Sequence, residues 1–394
     1  MTKKLIEQVT SGYQTKFQQK PQHYFFSPGR INLIGEHTDY NGGAVFPCAV
    51  TLGIYAAVGP SKDTNFHLYS ANYQEKSLIN LSRNELNRPK QKNWSDYFCG
   101  MVQEIIPKNL ELKFGLNIYL AGDLPPAAGL SSSAALELLF GTILKNTYNL
   151  SIEKKDLILA GQRVENNYLG LKTGIMDQFA IGMGKQNQAI LLNTNNMQYE
   201  YFPLELENNV IVIMNTNKPR TLIDSKYNER RKECNSALHK LQKELSINSL
   251  GDLTKDQFDE YTYLINDSIL IKRARHAVFE NQRTILAAKA LKTHQLAKFG
   301  HLISASGISL AYDYEVTGKE LDTLVQTALK IPGVLGSRMT GAGFGGCAIA
   351  LVEENIVPSF IEQVQTVYNK KIGYPAKFYL AKTTDGPREL KVTI

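Results

Sequence analysis

Hydrophobic and polar residues alternate with two different periods along this chain, and each period predicts a different kind of element. Between Lys113 and Asp123 every second residue is apolar over most of the stretch, which is typical of a β-strand. From Ala134 to Tyr148 the apolar residues recur every three or four positions, which predicts a helix. The stretch 210–217 begins with an unbroken apolar run, as in a strand buried on both faces.

The same helical spacing recurs elsewhere in the chain. It predicts further helices at 3–19, 93–106, 151–168, 225–245 and 271–291. Residues 51–79 are rich in strand-forming residues, and a polar stretch before the strand at 210 indicates a boundary near residue 205. We therefore divide the chain into two domains, 1–205 and 206–394.

The segment Leu124 to Phe140, LPPAAGLSSSAALELLF, joins the first predicted strand to the helix that follows it. The first N–H groups of a helix have no internal partner and carry partial positive charge, and small side chains let a phosphate reach the backbone. The segment is therefore a candidate phosphate loop, although a helix start capped by serine would show the same residues. No Gly-Lys-Ser/Thr closes it, so it is not a Walker A loop.

A second segment of the chain concentrates charged and polar groups between apolar residues and glycines. It holds Arg30, Glu36, His37 and Asp39 within ten residues. Such groups could bind a sugar, because each hydroxyl needs a donor or an acceptor placed for it. Turn residues also hold charges at a surface without any ligand, and a lone histidine such as His37 is more often structural. The chain has no HExxH and no His/Cys cluster, which argues against a zinc site.

Two carboxylates and one aromatic pair complete the candidate chemistry. Asp177 lies in a glycine-rich apolar stretch, where it could act as a general base or only cap a short helix. Glu165 stands beside the apolar face of the helix at 151–168, where a carboxylate is usually exposed or salt-bridged. Trp94 and Tyr97 share a helix face, and they could stack on a purine ring or pack in the core.

Composition excludes several classes of protein. The chain has 394 residues, too many for one typical core, and its net charge of +7 is spread along the sequence, so nucleic-acid binding is not implied. No apolar run is long enough to cross a membrane, and no signal peptide is recognisable. The four cysteines lie far apart in the sequence, which indicates reduced thiols in a cytoplasmic protein. The basic residues of 271–291 are expected on a solvated face with internal ion pairs.

A third glycine-rich segment lies late in the chain. Gly341, Gly343 and Gly346 satisfy GxGxxG, but an apolar strand and not a helix follows, so the Rossmann interpretation fails. A turn that supports a nearby phosphate loop is the better interpretation. The chain also lacks VAIK, HRD and DFG, which excludes a protein kinase.

Three segments together resemble one family. PGRINLIGEHTDYNGG at 28–43 resembles the galactokinase signature, LPPAAGLSSSAALE at 124–137 resembles the phosphate loop of the GHMP small-molecule kinases, and RMTGAGFGGCAIAL at 338–351 resembles their third motif. The second and third motifs specify only the superfamily, whereas the first is much more specific. The motifs occur in the order that the family shows and span most of the chain.

The resemblance implies a role for each matched residue. Asp177 matches the catalytic aspartate and Arg30 the catalytic arginine. The implied sugar-binding residues are Glu36, His37, Thr38, Asp39 and Tyr227. The implied nucleotide-binding residues are Ser70, Trp94, Tyr97, Ala127, Ala128, Gly129, Leu130, Ser131, Ser132 and Ser133. The implied magnesium ligands are Ser133 and Glu165. One departure is the run Pro126-Ala127-Ala128, where glycines are common in the family.

The fold and reaction follow from the same resemblance. It implies an α+β, two-domain GHMP kinase architecture, with an N-terminal domain like ribosomal protein S5 domain 2 and a ferredoxin-like C-terminal domain. The implied reaction transfers the γ-phosphate of MgATP to the C1 hydroxyl of D-galactose, the first committed step of galactose catabolism. We expect ATP and Mg²⁺ to be required, a monomer, and neither nucleic acid nor membrane as a partner. Asp177 could be a true base or an orienting group.

Two rivals remain open. A related sugar kinase could act on N-acetylgalactosamine, arabinose or galacturonate, which only a sugar panel separates. A galactose-binding regulator without catalysis is the second rival. Galactokinase-like sensors have lost part of the Ser-Ser-Ser-Ala stretch, whereas Ser131 to Ala134 are all present here, which argues against that rival.

Overall fold

The computed structural model of this chain describes residues 2–73, 77–107, 110, 112–125, 128–218 and 223–392. Its helices are α1 (Thr2–Phe17), α2 (Ser95–Ile105), α3 (Ser132–Thr147), α4 (Lys154–Arg163), α5 (Met176–Gly182), α6 (Ile223–Leu241), α7 (Lys255–Tyr261), α8 (Ser268–Lys292), α9 (Leu296–Tyr312), α10 (Lys319–Ala328) and α11 (Val357–Ile372). A π-helical segment, Val164–Leu169, continues α4.

The strands alternate with these helices along the chain. They are β1 (His23–Asn32), β2 (Ala44–Val45), β3 (Pro47–Pro60), β4 (Phe66–Ser70), β5 (Leu78–Leu81), β6 (Leu116–Gly122), β7 (Gln188–Asn193), β8 (Gln198–Pro203), β9 (Asn209–Asn215), β10 (Val334–Thr340), β11 (Cys347–Glu353), β12 (Lys377–Ala381) and β13 (Arg388–Glu389). The α+β class is confirmed, and the predicted helices and strands are found with ends shifted by a few residues.

A six-stranded sheet carries the segments singled out in the sequence, in the order β13-β1-β3-β6-β4-β5. Its strands pair antiparallel except for β4 and β6, which are parallel. The register of β1 against β3 shifts between Pro28 and Gly29, immediately before Arg30. Such a bulge re-aims the side chains that follow it, so it sets the direction of Arg30. The edge strand β13 brings a late part of the chain back to β1.

Both faces of this sheet are buried. Val9 and Tyr13 of α1 pack with Tyr119 of β6 on one face. Phe98 of α2 and Phe140 of α3 lie in the cluster on the other face, with ring centroids 5.2 Å apart. The helix that follows the candidate phosphate loop is therefore anchored in the core rather than exposed.

Two further sheets complete the architecture. An antiparallel sheet, β10-β11-β9-β12, packs with the helices after α5, and β2-β7-β8 forms a smaller sheet. Ile213 and Met214 of β9 belong to different core clusters, so β9 is buried on both faces, as its apolar run predicted. Within the described ranges, no helix is both long and apolar enough to cross a membrane.

Candidate active site

The candidate phosphate loop lies directly against β1. Arg30 N donates to the carbonyl of Leu130 at 3.1 Å. A Cβ on Gly29 would stand 2.8 Å from that same carbonyl oxygen and 2.5 Å from Leu124 Cδ2. Only glycine therefore lets the loop approach β1 this closely. Ser131, the last residue before α3, has a left-handed backbone with φ of 59°.

The third glycine-rich segment supports the loop from the other side, as predicted. A Cβ on Gly341 would lie 2.8 Å from the carbonyl oxygen of Gly129, and one on Gly346 would lie 3.1 Å from that of Ala128. The two backbones are thus packed against each other without intervening side chains. Of the residues expected to bind phosphate, Ala128, Leu130 and Ser131 are buried and Ser132 is exposed, while Ala127 lies outside the described residues.

Asp177 is held by the two segments that meet here. Arg30 donates to Asp177 Oδ1 from Nε at 2.9 Å and from Nη2 at 2.7 Å. Ser131 Oγ donates to the other carboxylate oxygen, and Arg30 Nη1 donates to the carbonyl of Gly129 at 2.5 Å. Asp177 belongs to the first turn of α5, whose N-cap is Ile175, so it does not cap the helix. The catalytic pair implied by the sequence is brought together at the phosphate loop.

Asp39 lies beside this pair. Its carboxylate accepts backbone N–H bonds from Met176 and Tyr40, and burial together with the nearby Asp177 raises the pKa of Asp39 to about 7. The space for this carboxylate exists because residue 174 is glycine, since a Cβ on Gly174 would overlap the Asp39 oxygens. Sequence reasoning missed Gly174, although it stands in the same glycine-rich stretch as Asp177.

Glu36 and Thr38 are held by hydrogen bonds and an ion pair in the loop at 33–43, between β1 and β2, which is called the sugar-signature loop below. Glu36 Oε1 accepts the N–H of Gly341 at 2.7 Å and lies 3.4 Å from Arg338 Nη2. Burial raises the pKa of Glu36 even though Arg338 is close. The hydroxyl of Thr38 is engaged with the carbonyls of Gly35 and Ala44, at 2.8 and 2.7 Å. Both side chains hold the loop in shape.

His37 and Tyr227 form an aromatic wall beside Asp39. His37 has φ of 61°, and its Nδ1 shares a 2.7 Å hydrogen bond with the hydroxyl of Tyr40. Burial lowers the pKa of His37 to about 3, so the ring is neutral near pH 7. The ring of Tyr227, on α6, lies 5.6 Å from that of His37. Burial and the nearby Asp39 and Asp177 carboxylates raise the pKa of the Tyr227 phenol.

Helix α8 braces the sugar-signature loop from behind. Buried Glu280 accepts the N–H of Gly35 at 2.9 Å, and Asn281 accepts that of Ala44 at 2.8 Å. Arg273 of the same helix is also buried, and it pairs with Glu233 and Glu315, which lie outside α8. The expectation of a solvated face is therefore wrong for Arg273, because α8 packs on both the loop and α6.

The two predicted magnesium ligands meet next to Asp177. Glu165 hydrogen-bonds Ser133, and its Oε2 accepts from Thr173 Oγ1 at 2.5 Å. Glu165 is buried, it forms no salt bridge with any residue that the structure describes, and burial raises its pKa. No group of three or more His, Cys, Asp or Glu side chains forms a metal cluster in the part of the chain that the structure describes. A hydroxyl and one carboxylate fit Mg²⁺, which takes oxygen ligands and completes its shell with water and phosphate.

The residues expected near adenosine line the end of β4 and the start of α2. Ser70 is buried, Trp94 is buried at the N-cap of α2, and Tyr97 is half-buried. The ring of Tyr73 is near-parallel to that of Trp94, with centroids 6.4 Å apart and an interplanar angle of 23°. Tyr73 is an exposed aromatic ring here that the sequence pattern did not indicate.

Three family models match the chain. The galactokinase galactose-binding signature matches residues 11–60, the N-terminal domain of GHMP kinases matches 96–185, and the C-terminal GHMP kinase model matches 287–370. Arg30 and Asp39 fall in the first match, and Asp177 falls in the second.

Similar proteins match over the whole length. The galactokinase of Lacticaseibacillus paracasei is 59% identical over 382 residues, covering 97% of this chain and 98% of that protein. That of Lactiplantibacillus plantarum is 57% identical over 389 residues, covering 99% and 100%. The crystal structure of Lactococcus lactis galactokinase complexed with galactose superposes with a TM-score of 0.94 at 49% identity, covering 98% and 100%. A mevalonate kinase shares the fold, with a TM-score of 0.65 at 19% identity. The chain belongs to the galactokinase family of the GHMP kinases.

Proposed function

We propose that this chain transfers the γ-phosphate of ATP to the C1 hydroxyl of D-galactose, giving galactose 1-phosphate and ADP. The observation that carries the proposal is the position of Asp177, which is bonded to Arg30 and to Ser131 of the phosphate loop and lies beside Asp39. One carboxylate thus stands where the phosphate loop meets the buried polar residues that follow β1. The relatives named galactokinase, one of them solved with galactose, support the same substrate.

Asp177 accepts the proton of the C1 hydroxyl or orients that hydroxyl for attack. Phosphoryl transfer depends mainly on positioning and on neutralising charge, with little covalent chemistry for the protein to perform. Arg30 fixes one oxygen of Asp177 by two hydrogen bonds and places its positive charge next to the carbonyl of Gly129 in the phosphate loop. That charge also offsets the negative charge that develops on the transferring group.

The start of α3 binds the phosphates. Its first N–H groups lack internal partners, and Ser132 and Ser133 add hydroxyl donors. Ser133 and Glu165 would hold Mg²⁺, which neutralises phosphate charge when it is bound. Trp94, Tyr97 and Ser70 bind the adenosine part, and the exposed Tyr73 ring, near-parallel to that of Trp94, offers a further face for stacking.

Galactose binds beside Asp177 in the pocket formed by the sugar-signature loop. Asp39 accepts hydrogen bonds from sugar hydroxyls, and Tyr227 and His37 form the adjoining wall. Glu36 and Thr38 contribute by shaping the loop. A site built to pair a given hydroxyl rejects a sugar whose hydroxyl points elsewhere, because a buried polar group of the protein is then left unpaired.

ADP release with purified protein and a panel of sugars tests this proposal. We expect turnover with galactose and Mg²⁺, and kcat/KM for glucose at least about 10²-fold lower, since the two sugars differ only at C4. If the protein prefers N-acetylgalactosamine, arabinose or galacturonate, then that sugar and not galactose is its substrate. Galactose binding without ADP release would identify a regulator and contradict the proposed activity.

Three broader predictions accompany this proposal. We infer a cytoplasmic location, supported by Cys48, Cys99, Cys234 and Cys347, which are buried free thiols. A monomer is the expected assembly. The boundary between the domains proposed at 1–205 and 206–394 falls just before β9, which is the first strand of the four-stranded sheet along the chain. The late strand β13 belongs to the six-stranded sheet.

A further inference from the structure

A buried acid–amide pair joins α3, the helix of the phosphate loop, to α5, the helix of Asp177. Glu137 of α3 and Gln178 of α5 are both 0% exposed. Gln178 Nε2 donates to Glu137 Oε2 at 3.0 Å. Within the described part of the chain, Glu137 Oε1 and Gln178 Oε1 have no hydrogen-bond partner. The two unpartnered oxygens therefore belong to the same two side chains that already share one bond.

The surroundings of Glu137 disfavour a negative charge. The charged groups that act on it are Glu165 of the π-helical segment and Asp177 of α5, which are both carboxylates, and burial together with them raises the pKa of Glu137 well above its ordinary value. Helix α4 approaches this pair at Gly161, where a Cβ would stand 3.2 Å from Glu137 Oε2. In the protein without bound metal, none of the charged groups that the described residues bring to Glu137 is a cation, so an ionised Glu137 would be an unpaired buried charge, which is strongly unfavourable.

We propose that Glu137 is a neutral carboxylic acid whose O–H donates to Gln178 Oε1, closing a two-bond ring that fixes α5 against α3. One proton then satisfies both unpartnered oxygens at once. The pairing does not depend on which way the amide of Gln178 is turned, because an acid can pair with an N–H and a C=O in either orientation.

Glu137 acts in this arrangement as a positioning residue. It lies one helical turn after Ser133 on the same face of α3, and its partner Gln178 directly follows Asp177 in the chain. Gln178 also hydrogen-bonds Glu165. The ring therefore sets the distance between Asp177 and the start of α3. This consequence for turnover rests on the proposed function, whereas the protonation of Glu137 is tested on the free protein.

The Glu137→Gln variant is the test of protonation, because an amide–amide pair keeps both hydrogen bonds and cannot ionise. An unfolded glutamate loses its proton above a pH of about 4.3, while folded Glu137 keeps it. Wild type should therefore lose stability relative to Glu137→Gln as the pH rises from about 5 to 8, by about tenfold per pH unit in the unfolding equilibrium constant. The titratable groups that both proteins share change the stability of both equally with pH, so their contributions cancel in this comparison. A difference in melting temperature that stays constant over this range would overturn the proposal.

Turnover provides the second readout. Glu137→Gln should keep kcat within about twofold of wild type, whereas Glu137→Ala, which removes the ring, should lower kcat at least about tenfold with the galactose KM little changed. A large loss of kcat in Glu137→Gln would mean that an ionised carboxylate is needed, and would overturn the proposal. If Glu137→Ala does not fold, infrared difference spectra between wild type and Glu137→Gln decide whether Glu137 is protonated. The carbonyl stretch of a protonated acid at neutral pH supports the proposal, and its absence overturns it. An enzyme inactive on galactose would still give both the stability and the infrared result.

Discussion

The two oxygens of Asp177 are committed to different partners. Oδ1 accepts two N–H groups of Arg30, and Oδ2 accepts the hydroxyl of Ser131. The carboxylate therefore has one fixed orientation, with 31% of its side chain still exposed to solvent. A fixed group that solvent and substrate can reach is what positioning of a reacting hydroxyl requires.

Asp177→Asn should remove turnover and leave galactose binding intact. The amide oxygen can still accept both Arg30 bonds, but the amide nitrogen in place of the other oxygen cannot accept the Ser131 hydroxyl, and the amide cannot take a proton. General-base catalysis typically contributes about 10²- to 10⁴-fold. Rates of ADP release, with galactose affinity from calorimetry, check both parts. Asp63→Asn, a substitution of an exposed acid in the connection between β3 and β4, serves as the control. A variant that keeps more than about a tenth of the wild-type kcat would remove Asp177 from the mechanism.

Gly174→Ala should damage the sugar site through Asp39. Because the new methyl group would overlap the Asp39 carboxylate, that carboxylate must move away from its backbone donors. We expect the galactose KM to rise about 10- to 100-fold with the ATP KM nearly unchanged. A double-mutant cycle with Asp39→Ala identifies the cause, since the two effects should not add. Additive effects would mean that Gly174 acts independently of Asp39.

The pKa of Asp39, raised to about 7, makes sugar use pH-dependent. Asp39 is mostly protonated at pH 6 and mostly ionised at pH 8, and the ionised form accepts stronger hydrogen bonds from sugar hydroxyls. For wild type, kcat/KM for galactose should therefore rise between about pH 6 and 8. In Asp39→Asn the part of this rise that belongs to Asp39 should be missing. Parallel profiles for the two proteins would contradict the assignment.

Among the elements, the π-helical segment Val164–Leu169 has the clearest effect on the site. It follows α4 without a break and carries Glu165 inward, where Thr173 and Ser133 bond to it. A π-turn accommodates one more residue than an α-turn and so changes the direction of the side chains that follow. Such segments occur often at functional sites, and this one carries a predicted magnesium ligand.

Glu165→Ala should raise the Mg²⁺ concentration needed for half-maximal rate, with galactose binding unchanged. The variant loses the only carboxylate of the proposed magnesium site, so the metal would be held by Ser133, phosphate and water. Titration of the rate with Mg²⁺ at saturating galactose measures this shift. Asp156→Ala, at an exposed acid of the neighbouring α4, is the matched control. Equal Mg²⁺ dependence in Glu165→Ala and wild type would exclude Glu165 as a ligand.

The sequence predicted elements and motifs better than it predicted contacts. Periodicity located α3 and β6, and the family motifs identified Asp177 and Arg30 before their hydrogen bonds were known. The π-helical segment was not predicted, because one extra residue in a turn hardly changes the spacing of apolar residues. Gly174 and the partners of Glu137 were missed because they depend on groups distant in sequence, which no local pattern records.

At the scale of the whole molecule, the strand that carries Arg30 depends on a late segment of the chain. Phe25 and Phe26 of β1 pair with Glu389 and Arg388 of β13, and the Arg388 guanidinium lies 5.0 Å from the Phe26 ring centroid. Leu390 N donates to the β1 backbone as well. Removal of β13 would leave the edge of β1 unpaired next to the site.

A chain ending at Thr384 should therefore melt at a lower temperature than the full chain. Each lost ladder hydrogen bond contributes about 0.5–1.5 kcal/mol, and the apolar contacts of Leu390 and Val392 are lost with them. A chain ending at Val392 is the control, because it keeps β13. Thermal unfolding of the two truncated proteins measures the difference. Equal melting temperatures would mean that β13 adds nothing to the stability of the sheet.

The pairing of β1 with β13 also has a consequence for the order of synthesis. A ribosome releases β1 early and β13 only after almost all of the residues described above have been made. The strand that holds Arg30 must therefore wait with one edge open while the rest of the chain emerges. An open edge is a place where nascent chains associate with one another. During synthesis, β1 is therefore exposed to such association until β13 has emerged and paired with it.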